Sequence, residues 1–186
     1  VNRVNCEYLL HARNILHEMG VKVNMVLRSD RDDWVQAMIL AGLVFSVIGD
    51  VLLIQQERFF VQGLVSFLIG HLFFIAAFWT FPVFYLLFVF LVYITVFLGI
   101  LWKHLGPMKV PVSIYASAIA LMSWMAISRY FSGGQSPELY AAIGSLFFVA
   151  SDSLLAFNKF RSPIPQSAIW VLGTYFAAQW LIALSV

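Results

Sequence analysis

The chain has 186 residues, of which 62% are hydrophobic and only 11% are charged. A soluble domain carries about a quarter charged residues, so this composition excludes a domain with a fully solvated surface and predicts helices that face lipid. A net charge of +2 from scattered basic residues argues against a nucleic-acid partner, and the single cysteine, Cys6, excludes an internal disulfide.

Residues 1–33 carry charges throughout and are predicted to form a polar segment outside the membrane. Within them, Tyr8–Met19 fits a short amphipathic helix on the membrane surface and fits a disordered segment equally well. Residues 34–186 are predicted to form a second unit, the transmembrane helical domain.

Six runs of about 20 apolar residues divide this second unit. The connections between neighbouring runs are short, which predicts antiparallel helix hairpins that bundle in the bilayer. We therefore predict an all-α fold, a polytopic membrane helical bundle with about six transmembrane helices. The predicted spans are Trp34–Ile54, Phe59–Trp79, Pro82–Trp102, Val110–Phe131, Pro137–Phe157 and Ile164–Val186.

Two aspartates inside the apolar spans mark the predicted working site. Asp50 and Asp152 lie on spans that run in the same direction, each about four or five residues before the exit end. An unpaired carboxylate at this depth is costly, so intramembrane acids are usually functional, although each could also serve packing by bonding a neighbouring amide or hydroxyl. Glu138, by contrast, begins its span, where a carboxylate suits the helix dipole and has a structural role.

The sequence around the first aspartate is echoed around the second. Residues Gly42–Leu53 and Gly144–Leu155 share a glycine, a phenylalanine, a small residue before the aspartate and two leucines after it. The echo indicates either a duplicated helix pair or chance within a small apolar alphabet. Small residues such as Ser46 and Ser151 would allow close helix approach around the acids.

The remaining polar side chains in the spans complete the set of candidate site residues. His71 near the middle of the second span is either a catalytic imidazole beside the acids or a packing residue. Lys159 either contacts a phosphate headgroup or snorkels to the interface. The chain has no metal-ligand motif, and no metal or cofactor is expected. The candidate catalytic residues are Asp50, Asp152 and His71, and the candidate substrate-binding residues are Ser46, Ser151, Asn158, Lys159, Tyr175 and Gln179.

These motifs together resemble the YhhN-like lysoplasmalogenase family, above all its animal members. The resemblance implies an integral membrane hydrolase of the endoplasmic reticulum that cleaves the vinyl ether bond of lysoplasmalogens, with a lysophospholipid and membrane lipid as its partners. It also implies about eight spans, of which the first two would have no counterpart in residues 1–33. The motifs are Gly42-Leu-Val-Phe-Ser-x-x-Gly-Asp50, Phe60-Val-x-Gly63 with His71, Leu146-Phe-Phe-x-x-Ser-Asp152, Ala156-x-Asn158-Lys-Phe160 and Tyr175-x-x-Ala-Gln179.

Vinyl ether hydrolysis suits a pair of aspartates. The reaction needs one protonated acid to deliver a proton to carbon and one anion beside the developing cation. Two carboxylates that share a low-dielectric pocket do not both ionise easily, so one is expected to remain protonated. The alternative function is a small proton-coupled transporter or lipid-handling membrane protein that uses the same two acids, and a third interpretation is a non-enzymatic scaffold.

Overall fold

The computed structural model describes residues 33–53 and 59–186, and all the regular structure within these ranges is helical. A short 3₁₀ turn, Gly106–Met108, leads into the fourth helix. The predicted all-α membrane bundle is confirmed. The helices are α1 Asp33–Leu53, α2 Phe60–Phe78, α3 Phe84–Leu101, α4 Lys109–Phe131, α5 Ser136–Phe160 and α6 Ser167–Ala183.

Five of the six described helices have the length predicted for a span. Helices α1 to α5 are long and apolar enough to cross a membrane, whereas α6, with 17 residues, is shorter. Almost all of the predicted polar segment 1–33 lies outside the described residues, and its last residue, Asp33, begins α1. The predicted connection 55–58 also lies outside them.

Glycines allow α1 and α2 to pack closely. A Cβ atom added at Gly49 of α1 would lie only 2.6 Å from the ring of Phe67 in α2. One added at Gly70 of α2 would lie 3.0 Å from the carbonyl oxygen of Gly42. These contacts leave no room for larger side chains, so the predicted close approach of small residues around the first aspartate is confirmed.

The pairing of α5 with α6 follows the same principle. A Cβ atom added at Gly144 would meet the carbonyl oxygen of Ala178 at 3.1 Å and Ile182 at 3.0 Å. The hydroxyl of Ser151 donates across this interface to the carbonyl oxygen of Val171 at 3.0 Å. Small residues therefore bring α6 against the helix that carries the second aspartate.

Helix α4 packs against α2, α3 and α5, whereas α3 lies at the periphery. Only Phe90 and Leu101 of α3 are buried, and half of its large apolar side chains are exposed, as expected for a lipid-facing helix. At the end of the bundle opposite the aspartates, the Glu138 carboxylate accepts the backbone N–H of Gln135 at 3.0 Å in a capping box. This confirms the structural role predicted for Glu138.

Candidate active site

A cavity of about 330 Å³ lies at the end of the bundle where α1 and α5 finish, and all six described helices contribute to its wall. Asp50 of α1 and Asp152 of α5 both line it. Most of the other lining side chains are aliphatic or aromatic, which is typical of a pocket for an apolar ligand. The two acids, for which the sequence predicts a similar depth in the membrane, therefore share one cavity.

Each carboxylate accepts a hydrogen bond from a tyrosine on a different helix. The Tyr175 hydroxyl of α6 donates to Oδ2 of Asp50 at 2.8 Å. The Tyr115 hydroxyl of α4 donates to Oδ2 of Asp152 at 3.1 Å. Both tyrosines line the same cavity, so the polar part of the wall includes two Tyr–Asp pairs.

A group of aromatic rings holds the two tyrosines in place. The ring of Tyr175 makes edge contacts with Phe67 at 5.9 Å and Phe148 at 5.6 Å between centroids. Phe148 in turn contacts His71 at 5.1 Å, and His71 contacts Tyr115 at 5.5 Å. Edge-to-face packing of this kind restricts ring rotation, so these contacts fix the positions of both hydroxyl oxygens.

His71 lies behind the wall of the cavity and does not line it. Its side chain is fully buried, and its Nδ1 donates to the carbonyl oxygen of Phe67 at 2.7 Å. Because a carbonyl only accepts, Nδ1 carries a proton, and Nε2 has no hydrogen-bond partner within the described residues. His71 therefore touches the site through the ring of Tyr115 and not through the cavity.

The predicted substrate-binding residues fall into two groups. Tyr175, Ser151 and Lys159 line the cavity. Ser46 and Asn158 belong to the second group, which does not line it. The hydroxyl of Ser46 is buried and donates to the carbonyl oxygen of Gly42 in its own helix at 3.0 Å, and the side-chain oxygen of Asn158 accepts the backbone N–H of Ile164 at 2.8 Å.

Gln179 and Lys159 take part in contacts that bear on the site. The amide nitrogen of Gln179, one turn along α6, donates to the Tyr175 hydroxyl at 2.7 Å, so Gln179 acts through that tyrosine. The ammonium nitrogen of Lys159 lies 4.2 Å from the ring centroid of Phe60, a cation–π contact between α5 and α2 at the wall of the cavity.

Several cavity residues are not among the candidates predicted from the sequence. Tyr115 provides the hydrogen bond to Asp152, and Tyr93 of α3 shares a hydrogen bond of 2.9 Å with Ser153. Phe60 lies under Lys159. A usable signal for the tyrosines was their hydroxyl inside an apolar span, because such a hydroxyl almost always has a polar partner.

The YhhN family model matches residues 22–186. The chain belongs to the YhhN family. Thus the resemblance seen in the motifs is confirmed. Together with the five membrane-length helices, it identifies this YhhN family chain as an integral membrane protein.

Two groups of relatives illustrate the similarity. Lysoplasmalogenase TMEM86A of Homo sapiens is 36% identical over 153 residues, which cover 79% of this chain and 64% of the relative. Lysoplasmalogenase TMEM86B of Sus scrofa is 35% identical over 153 residues, 81% of this chain and 63% of the relative. The membrane protein YhhN of Escherichia coli O157:H7 is 27% identical over 164 residues, 83% and 76% of the two chains. This YhhN family chain thus spans less than two thirds of the length of the lysoplasmalogenases that it matches. No solved structure matches it.

Proposed function

We propose that this chain is a lysoplasmalogenase, which hydrolyses the vinyl ether bond of a lysoplasmalogen. Water adds to the vinyl ether, so that R–CH=CH–O–R′ and H₂O become the fatty aldehyde R–CH₂–CHO and the glycerophospho-base HO–R′. The proposal is supported by relatives that carry this name and are 36% and 35% identical to the chain. It requires no cofactor, because proton transfer and charge stabilisation are sufficient for the reaction.

The observation that carries the proposal is the presence of two carboxylates, each with a tyrosine partner, on one largely apolar cavity. Hydrolysis of a vinyl ether passes through an oxocarbenium-like cation, as glycoside hydrolysis does, and glycosidases use a pair of carboxyl groups for it. A neutral carboxylic acid supplies the proton, and an ionised carboxylate stabilises the cation. Asp50 and Asp152 provide one group for each role.

The shape and lining of the cavity suit a single-chain amphiphile. Leu172 and Phe176 of α6 line the cavity and are also exposed on the outer surface of the bundle, where lipid would lie. A lipid would therefore enter sideways between the helices, with its alkyl chain along the apolar wall. Lys159 would meet the phosphate at the headgroup level, held there by its contact with Phe60.

We propose the endoplasmic reticulum as the compartment of this enzyme. This proposal is supported only by the resemblance of its motifs to those of the animal members of the family.

Aldehyde release tests the proposal. The full chain is reconstituted in liposomes with a 1-alkenyl lysophospholipid or with the saturated 1-alkyl ether of the same chain length and headgroup. We expect aldehyde from the alkenyl lipid and none from the alkyl ether. Asp50→Asn and Asp152→Asn should each lower kcat by about 100-fold or more, because Asn neither donates the proton nor carries the charge.

Asp33→Asn is the matched control, since Asp33 is exposed at the start of α1 and does not line the site cavity. It should keep the wild-type rate. Absence of aldehyde with the wild-type chain, or near-normal release by either Asn variant at matched expression, would contradict the proposed chemistry. Proton flux across the liposome membrane without aldehyde release would instead favour the alternative function, a small proton-coupled transporter.

A further inference from the structure

The two aspartates have different hydrogen-bond surroundings, and the difference assigns their roles. Resting on the proposed function, we infer that Asp152 is the acid that protonates the vinyl carbon and that Asp50 is the anion that faces the developing cation. The inference depends on the direction of the hydrogen bonds that end on each carboxylate. It also makes Gln179 a positioning residue that acts on Asp50 through Tyr175.

Asp50 lies at the end of a chain of donors. The Gln179 amide nitrogen donates to the Tyr175 hydroxyl at 2.7 Å, and that hydroxyl donates to Oδ2 of Asp50 at 2.8 Å. An amide N–H₂ only donates, so the tyrosine oxygen is already an acceptor and its proton points to the carboxylate. Successive hydrogen bonds in one direction polarise each other, and a donor chain of this kind favours an ionised acceptor.

Within residues 33–53 and 59–186, no comparable chain of donors leads to Asp152. Its tyrosine partner, Tyr115, donates at 3.1 Å, which is long for a hydroxyl bound to an ionised carboxylate. Among the described residues, the Tyr115 hydroxyl has no hydrogen bond other than this one. Because no donor fixes its direction, this hydroxyl can accept a hydrogen bond from a protonated Asp152 as readily as it donates one to the carboxylate, so the neutral acid has a partner.

The assignment gives a balanced reaction. Asp152 transfers its proton to the carbon distant from the ether oxygen, and the electrons of the double bond form the new C–H bond. The positive charge then spreads over the other vinyl carbon and the ether oxygen, opposite the Asp50 carboxylate. Water adds to that carbon and gives its proton to Asp152, which restores the acid. In the resulting hemiacetal, the C–O bond to glycerol breaks as Asp152 passes a proton to the leaving oxygen and takes one from the hydroxyl.

A binding experiment separates the two roles without relying on turnover. The probes are two lysophospholipids with the same saturated chain and headgroup, one with the ether oxygen and one with a secondary amine in its place, which is cationic near neutral pH. The Kd of each is measured on the full chain in detergent micelles. The ratio of the two values reports how strongly the site prefers a positive charge at the reacting position.

Wild type should bind the ammonium lipid at least about tenfold more tightly than the ether lipid, as expected for a close charge pair away from water. Asp50→Asn should abolish this preference, whereas Asp152→Asn should retain it. Loss of the preference in Asp152→Asn with retention in Asp50→Asn would reverse the assignment, and equal loss in both would refute a division of roles. Absence of any preference in the wild type would also refute the anionic role of Asp50.

Gln179→Leu tests the donor chain. It should reduce the preference for the ammonium lipid several-fold and lower kcat while KM changes little, because Gln179 does not line the cavity. Ser117→Ala, which removes an exposed hydroxyl bound to its own helix, is the control and should change neither. An unchanged preference in Gln179→Leu would remove the positioning role. If wild type releases no aldehyde, the proposed function fails, whereas aldehyde release with a reversed charge preference overturns only the assignment.

Discussion

Tyr175→Phe is the substitution that probes the candidate site with the least disturbance of the bundle. It deletes the hydroxyl that donates to Asp50 at 2.8 Å and accepts from Gln179 at 2.7 Å. The phenyl ring that remains can keep the edge contacts with Phe67 and Phe148 at 5.9 and 5.6 Å. We therefore expect a folded protein that has lost one hydrogen bond to Asp50, the carboxylate proposed to stabilise the cation.

The expected magnitude follows from that bond. A hydrogen bond to a charged group contributes about 1.5–3 kcal/mol, and each 1.4 kcal/mol corresponds to a tenfold change in rate. If the bond to Asp50 acts in the transition state, kcat for aldehyde release should fall by about 10- to 150-fold. KM should change less, because the hydroxyl is engaged by protein groups and not by the headgroup.

Initial rates of aldehyde release from an alkenyl lysophospholipid, at matched protein in liposomes, measure this effect. Tyr93→Phe is the matched control, because Tyr93 also lines the cavity but its hydroxyl bonds to Ser153 and to no carboxylate. The kcat of Tyr93→Phe should fall by less than about threefold, which is less than the fall expected from losing one hydrogen bond to a charged group. A Tyr175→Phe variant that retains kcat within about twofold of wild type, at unchanged thermal stability, would refute the reasoning.

Three further predictions concern the headgroup, the helix packing and the proton. Lys159→Met should raise KM several-fold more than it lowers kcat, as measured by initial rates over a range of lipid mole fractions. A larger fall in kcat than rise in KM would indicate a catalytic role for the lysine instead. Gly144→Val should lower the unfolding temperature in detergent, because the added side chain meets α6, whereas Gly99→Val, where an added Cβ meets nothing within 4 Å, should change it much less. In D₂O, turnover should slow and mass spectrometry should find one deuterium on the carbon next to the aldehyde; aldehyde without deuterium would exclude proton transfer to carbon.

The number and location of the helices could be predicted from the sequence because each span is a local property. An apolar run of about 20 residues has to satisfy its backbone as a helix in lipid. The short connections did not predict every neighbour, because α2 packs against α4 far more than against α3, the next helix along the chain. The same locality made Asp50 and Asp152 identifiable as candidates, since a charged side chain within such a run is costly whatever surrounds it. Their similar distances from the ends of the predicted spans were enough to predict a shared depth.

The partners of the aspartates depended on the tertiary structure. Tyr115 is 37 residues from Asp152 and Tyr175 is 125 residues from Asp50, and whether their hydroxyls meet the carboxylates depends on the rotation of each helix about its axis. Apolar residues all around a lipid-embedded helix leave no periodic stripe from which that rotation can be read. For the same reason the sequence left open which side His71 faces, and only the packing of α2 against its neighbours puts that ring behind Tyr115 instead of in the cavity.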